Sequence, residues 1–199
     1  MKYFLILTAA LGVISCQQKK SEHLQSDSAL PETSLYWMTN EWKDQNGNNL
    51  KLRDLRGKPV VLAMMFTSCK ASCPRLVADV QSIEQNLDPR ASGKVTFVLC
   101  SIDPAYDTPE RLRAYAAEHR LSNDHWELLT ADEETVRELS ALLGVKYKKT
   151  SPIEFSHSNI ISVLTSQGDL YFQQEGIDND PQPMVNRINE LLASFEKKF

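Results

Sequence analysis

Two cysteines in the stretch FTSCKASCP, residues 66–74, are the side chains best suited to chemistry in this chain. Cys69 and Cys73 are separated by three residues and follow the apolar run PVVLAMM. Thiolates attack disulfides and bind soft metals, so such a pair can be a structural bridge, a redox couple or a pair of metal ligands. A disulfide that closes so small a loop stabilises a fold only weakly, which disfavours the structural bridge.

The proline that follows Cys73 helps to place the pair in the fold. Proline suits the first helical position, and the residue before it avoids helical dihedral angles. We therefore predict a helix from Pro74 to about Leu87, with Cys73 at its N-terminus and Cys69 in the loop before it. The free N–H groups and the positive dipole end of that helix would favour a thiolate.

The elements around this loop alternate between strands and helices. The runs KPVVLAMMF and KVTFVLCSI predict two buried strands, and HWELLT predicts a shorter one. Helical patterns follow in DTPERLRAYAAEHR and DEETVRELSALLG, and the chain closes with the hairpin NIISVLT–LYFQQEG and the helix PMVNRINELLASFEKKF. The turn Asn46-Gly47 adds a hairpin-like extension at the N-terminus. This order indicates an α/β, thioredoxin-like fold with a central mixed sheet flanked by helices.

The N-terminal segment MKYFLILTAALGVISC predicts export. Its apolar region, Tyr3 to Ile14, is too short to span a bilayer but suits a signal peptide. VISC resembles the lipobox of bacterial lipoproteins, which implies that Cys16 is lipidated and becomes the mature N-terminus. We expect a signal peptide at 1–15, a lipidated N-terminus and flexible polar tether at 16–34, and one domain at 35–199. The protein would then be anchored to a bacterial membrane and face the periplasm or the cell exterior.

The charge pattern excludes one large class of partners. The formal net charge is −4, and no basic block or mixture of basic and aromatic residues occurs in the sequence. Both features argue against nucleic-acid binding.

Three blocks of sequence resemble the Sco/SenC family of copper-binding, thioredoxin-like cytochrome c oxidase assembly proteins. These blocks are FTSCKASCP, SIDPAYDTPERLRAY and FSHSNIISVLTSQGDL, and the resemblance extends from about Trp37 to the C-terminus. It implies a copper site, for Cu(I) or Cu(II), formed by Cys69, Cys73 and His157, with Asp103 close by. The family commonly has Pro-Asp between the cysteines, where this chain has Lys-Ala-Ser.

This resemblance implies a membrane-anchored copper chaperone that takes copper from a donor protein and delivers it to a client enzyme. The expected client is cytochrome c oxidase. Two thiolates suit Cu(I), and an added imidazole lets the same site hold Cu(II). His157 would be superfluous in a simple thiol exchanger, and thioredoxin-type exchangers usually have two residues between their cysteines. We expect His157 to reach the cysteines from a loop.

Two enzymatic functions remain as alternatives, and whether the chain is an enzyme stays open. The first is a thiol-disulfide oxidoreductase that keeps the cysteines of the client's copper site reduced. The second is a thiol peroxidase, which ranks third because a Pro-x-x-x-Thr-x-x-Cys environment is expected there, whereas Thr67 precedes Cys69 by two positions.

Several other reactive side chains are expected to have structural roles. Cys100, Met64 and Met65 lie in apolar strands and are predicted to be core residues. Asp107 and Thr108 are predicted to cap a helix, with a second role for Asp107 in shaping the loop near the site.

Overall fold

A five-stranded mixed sheet organises the part of the chain that the computed structural model describes, residues 30–121, 124–151 and 154–196. The strands are β1 (Trp42–Lys43), β2 (Asn49–Leu50), β3 (Val60–Met65), β4 (Thr96–Ser101), β5 (Trp126–Leu129), β6 (Tyr147–Ser151), β7 (Glu154–His157), β8 (Ile160–Leu164) and β9 (Leu170–Glu175). The α-helices are α1 (Ser72–Asn86), α2 (Pro109–Glu118), α3 (Glu133–Leu142) and α4 (Gln182–Glu196).

The order of the central sheet is β5-β4-β3-β8-β9. Strand β3 lies in the middle, parallel to β4 and antiparallel to β8, and all its residues are buried. A strand covered on both faces can be apolar along its whole length, which explains the run VVLAMM. The predicted α/β, thioredoxin-like fold with a mixed sheet flanked by helices is confirmed.

The predicted N-terminal hairpin is present. Strands β1 and β2 pair antiparallel, with Trp42 opposite Leu50 and Gly47 in the turn between them. Gly47 has a φ of +85°, a left-handed conformation that glycine adopts without strain. Trp42 is completely buried, so the extension packs against the core.

Helix α1 begins earlier than the prolyl rule predicts. Its first residue is Ser72 and not Pro74, so Cys73 is the second helical residue and Pro74 the third. The backbone N–H of Cys73 donates a hydrogen bond to Cys69 Sγ, 3.4 Å away. This bond satisfies one of the donors that a helix N-terminus leaves free.

The hairpin of β6 and β7 is absent from the sequence-based prediction. The two strands form a separate antiparallel sheet in which Tyr147 pairs with His157. The prediction that His157 reaches the cysteines from a loop is therefore wrong, because His157 is the last residue of a strand.

The end of the predicted tether packs against the domain. Leu30 is buried, and Ser34 Oγ donates a hydrogen bond to the carbonyl oxygen of Gln167, 2.5 Å away. Leu30 and Ser34 therefore pack with the domain, although both fall in the segment predicted as a tether. Cys16 and the predicted signal peptide lie outside the described residues. None of the helices in the described ranges is long and apolar enough to cross a membrane.

Candidate metal centre

The loop that carries the cysteines leaves the carboxyl end of β3. Phe66 follows that strand, and its carbonyl oxygen accepts a hydrogen bond from the N–H of Cys69, 3.3 Å away. Cys69 is half-buried, Cys73 is completely buried and Lys70 is exposed. Because Lys70 points into solvent, the described contacts of the thiols come from the loop, from helix α1 and from His157.

Hydrogen bonds to Cys69 favour its thiolate. Burial alone would raise the pKa of Cys69, but hydrogen bonds from the backbone of Cys73 and Ala71 and from the side chains of Cys73 and Ser72 outweigh this effect, so the pKa is lowered. The prediction that the helix N-terminus favours a thiolate therefore applies to Cys69, whose sulfur lies at that N-terminus.

Cys73 contacts His157 across the site. The distance between Cys73 Sγ and His157 Nε2 is 3.3 Å. On the other side of the ring, His157 Nδ1 lies 3.0 Å from the carbonyl oxygen of Ser158. A carbonyl oxygen only accepts, so we assign the proton to Nδ1, which leaves the lone pair of Nε2 directed at Cys73.

Burial keeps both Cys73 and His157 neutral. It lowers the pKa of His157 and raises the pKa of Cys73, because both charged forms lose hydration. The contact is therefore a thiol S–H facing an imidazole nitrogen.

The ring of Phe66 packs against His157 and also against Phe155. The ring of Phe66 meets the His157 ring edge-on at a centroid distance of 5.8 Å and the Phe155 ring at 5.2 Å. Phe155 belongs to the same strand as His157, so the aromatic contacts tie β7 to the start of the cysteine loop.

Cys73 lies between the other two predicted ligands and contacts both of them. His157 contacts Cys73, and Cys73 contacts Cys69. The described residues contain no group of three or more His, Cys, Asp or Glu side chains already arranged as a metal-binding cluster. The structure thus brings the three residues together, with Cys73 hydrogen-bonded both to Cys69 Sγ and to His157 Nε2.

Asp107 anchors the cysteine loop through hydrogen bonds to Thr67. This completely buried carboxylate accepts hydrogen bonds from Thr67 N (3.0 Å), Thr67 Oγ1 (2.5 Å) and Ser101 Oγ (2.6 Å). Arg111 Nε also donates to Thr67 Oγ1, 3.0 Å away. Thr108 is the N-cap of helix α2, as predicted. The side chain of Asp107 instead holds the cysteine loop, which is the second role predicted for it.

Asp103 lies at the end of β4, beside a surface groove. Its N–H donates to Ser101 Oγ, 3.0 Å away, and its side chain is nearly buried. Burial raises the pKa of Asp103, opposed by the charge of Lys149. Among the described residues, Asp103 forms no hydrogen bond with Cys69, Cys73 or His157, and its role in the site stays a prediction.

The remaining sulfur-containing candidates are core residues, as predicted. Cys100, Met64 and Met65 are each 1% exposed or less. Cys100 and Met64 lie opposite each other in the register of β4 and β3. Burial raises the pKa of Cys100, which disfavours the reactive thiolate form.

Comparison with known proteins agrees with the sequence blocks described above. The SCO1/SenC family model matches residues 32–193. The SCO1 protein homolog of Bacillus subtilis (strain 168) is 27% identical over 143 residues, which is 70% of this chain and 74% of that protein.

Solved structures show the same fold. A SCO1/SenC family lipoprotein from Bacillus anthracis str. Ames has a TM-score of 0.68 and 25% identity, covering 76% of this chain and 92% of that one. The copper-bound ScoI of Arabidopsis thaliana has a TM-score of 0.64 and 22% identity, covering 76% and 96%. Sco proteins form a family of cytochrome c oxidase assembly proteins. This chain belongs to the SCO1/SenC family.

Proposed function

We propose that this chain is a membrane-anchored copper chaperone that carries copper on Cys69, Cys73 and His157 and delivers it to the copper centre of cytochrome c oxidase. The observation that carries this proposal is the 3.3 Å contact of His157 Nε2 with Cys73 Sγ, beside Cys69. Two sulfurs and an imidazole nitrogen suit copper in both oxidation states. A relative of the same fold has been solved with copper bound.

The protonation states favour copper loading at neutral pH. Metal ligands must be deprotonated, and Cys69 already has a lowered pKa while His157 is held neutral with Nε2 free of hydrogen. Cys73 would lose its proton to solvent when copper binds. Copper uptake would therefore release protons, chiefly from Cys73.

A thiol-disulfide oxidoreductase is the second candidate, and the asymmetry of the two thiols favours it. Cys69 is partly exposed and has a lowered pKa, whereas Cys73 is buried and its pKa is raised. A thiolate in an accessible position attacks a disulfide, and its buried partner then resolves the mixed disulfide. Such a protein would keep the cysteines of the client's copper site reduced.

The same proposal includes the cellular location. Cleavage after residue 15 and lipidation of Cys16 would hold the domain on the outer side of a bacterial membrane through the predicted tether. The structural relative from Bacillus anthracis is a lipoprotein, which supports this arrangement. The domain would then reach its copper donor and its client at the membrane surface.

Copper counting tests the proposal. The purified, reduced protein is loaded with Cu(I) without oxygen, desalted and analysed for metal, together with the variants Cys69→Ser, Cys73→Ser and His157→Ala. We expect one retained copper in the unmodified protein and weaker retention in each variant. Cys100→Ser is the matched control and should retain copper normally. Equal retention by the His157 variant, with rapid reduction of a disulfide substrate, would support the oxidoreductase instead.

A further inference from the structure

A groove with a basic rim lies next to the candidate metal centre. Its volume is about 570 Å³, and it runs between helix α3 and the hairpin of β6 and β7. Four cationic side chains line it: Arg137, Lys146, Lys148 and Lys149. Two acidic side chains, Asp103 and Glu133, also line it. We call this surface the basic groove. Its surplus of positive charge contrasts with the net charge of −4 of the whole chain.

The cations of the basic groove are available to a partner. All four are exposed, and none of them forms an ion pair within residues 30–121, 124–151 and 154–196. Lys149 is positioned by the face of the Phe155 ring, 5.3 Å from its centroid. Between the charges the lining is apolar, with Val145, Tyr147 and Phe155 among its residues.

Short contacts connect the basic groove to the predicted copper ligands. Ser158, whose carbonyl oxygen holds His157 Nδ1, donates its N–H to Lys146 O (2.8 Å) and accepts a hydrogen bond from Lys146 N through its Oγ (3.2 Å). Tyr147 is the register partner of His157. A molecule bound in the groove would therefore contact β6 and also β7, the strand that ends at His157.

We propose that the basic groove docks an acidic segment of the protein that exchanges copper with this chain. Negative charges on that segment would pair with the four cations, and an apolar side chain would sit on the floor between them. The identity of this partner as a copper donor or client rests on the proposed function. A protein segment fits better than an anionic lipid surface, because the groove is concave and a flat membrane would not reach its floor.

A peptide-binding experiment tests the groove without copper. The probe is a short dye-labelled peptide of Glu-Glu-Leu repeats, with a Gln-Gln-Leu peptide as the uncharged control, and binding to the purified protein is followed by fluorescence anisotropy. The groove variant is Lys146→Gln/Lys148→Gln/Lys149→Gln. The matched control is Lys43→Gln/Arg53→Gln/Lys58→Gln. It also removes three positive charges, but from exposed positions outside the groove.

We expect the groove variant to bind the acidic peptide about tenfold more weakly, since three exposed charge pairs together amount to roughly one decade in affinity. The control variant should change affinity less than twofold, roughly, and salt should weaken binding to the unmodified protein. Equal weakening in both variants, or no binding of the acidic peptide, would overturn the proposal. So would binding to phosphatidylglycerol vesicles that depends on these lysines while the peptide fails to bind.

Copper retention is measured in parallel on the same samples. The groove variant should retain copper as the unmodified protein does, because its lysines are not ligands. Failure of the unmodified protein to retain copper would refute the proposed function and leave the peptide result standing, so the two failures are distinguishable.

Discussion

Replacement of Asp107 by alanine should loosen the cysteine loop and destabilise the fold. The carboxylate is completely buried and accepts three hydrogen bonds, two from Thr67 and one from Ser101. Alanine removes the acceptor and leaves these donors buried. The two hydroxyl groups can rotate towards other acceptors, but the backbone N–H of Thr67 cannot.

The expected magnitude follows from these three bonds. A hydrogen bond to a charged group contributes about 1.5–3 kcal/mol, and a buried donor without a partner costs about 1–3 kcal/mol. Allowing for the hydroxyl groups that find new partners and for the relieved burial of a charge, we expect a loss of about 3 kcal/mol in the free energy of unfolding. A domain with about 5–15 kcal/mol of stability survives such a loss.

Urea unfolding at neutral pH measures this change, with Asp132→Ala as the comparison. Asp132 is the exposed N-cap of α3 and accepts a hydrogen bond from Thr135 N, so the loss of this cap should cost about 1 kcal/mol. A loss for Asp107→Ala no larger than that for Asp132→Ala would refute the assignment of Asp107 as the anchor of the loop. The variant should also alkylate faster at Cys73, because the loop above the anchor opens more often.

Three further predictions concern reactivity, pH and backbone strain. Iodoacetamide should modify Cys69 much faster than Cys73, and the pH midpoint of the reaction at Cys69 should lie below that of free cysteine, because the pKa of Cys69 is lowered. Mass spectrometry of peptides measures both rates, and a midpoint for Cys69 at or above that of free cysteine would contradict the lowered pKa. The pKa of His157 is lowered in the folded state, so the unfolded state takes up its proton first as the pH falls below about 6.5, and stability decreases there. Between neutral pH and about pH 5 the unmodified protein should therefore lose more stability than His157→Gln, and parallel curves would show that His157 is not the cause. Finally, Gly168→Ala should destabilise the fold more than Gly47→Ala in urea unfolding, although the two glycines have φ angles of +86° and +85°. A Cβ at Gly168 would lie 2.6 Å from neighbouring side-chain atoms, whereas a Cβ at Gly47 meets open space. Both variants should lose about 1 kcal/mol in the free energy of unfolding because of the backbone conformation, and Gly168→Ala should lose about 1–3 kcal/mol more because of the clash. Equal losses would mean that the neighbours of Gly168 move aside freely.

The sequence predicts the central sheet well because burial leaves a local signal. Strand β3 is apolar along its whole length and β4 is apolar between its terminal residues Thr96 and Ser101, and that pattern needs no knowledge of distant residues. The N-cap at Thr108 and the turn at Gly47 are also set by residues within a few positions. These elements place Cys69 and Cys73 at the end of β3 correctly.

The hairpin that carries His157 leaves almost no such signal. Strand β6 has the sequence YKKTS, and Lys148, Lys149 and Thr150 are all exposed, so no apolar pattern marks it. Strand β6 forms because it pairs with β7, and a pairing partner cannot be recognised from the sequence of one strand alone. Phe155 and His157 are partly buried and flank the exposed Ser156, and this weak two-residue period is the signal that could have indicated β7.

The anchoring role of Asp107 is non-local for a similar reason. Asp107 and Thr67 are 40 residues apart in sequence, and the bond between them forms only when β3 and β4 lie side by side. From sequence alone, an aspartate before Thr-Pro looks like a capping residue. The start of α1 at Ser72 was missed because the group at its N-terminus is a cysteine sulfur and not a conventional cap.

X-ray absorption spectroscopy of the Cu(I)-loaded protein tests the central claim most directly, since it reports the atoms bound to copper. We predict two sulfur ligands and one nitrogen ligand, with the nitrogen lost in His157→Ala and one sulfur lost in Cys69→Ser. Cys100→Ser should leave the spectrum unchanged. A spectrum with sulfur ligands alone, identical in the unmodified protein and in His157→Ala, would contradict a copper site built from Cys69, Cys73 and His157.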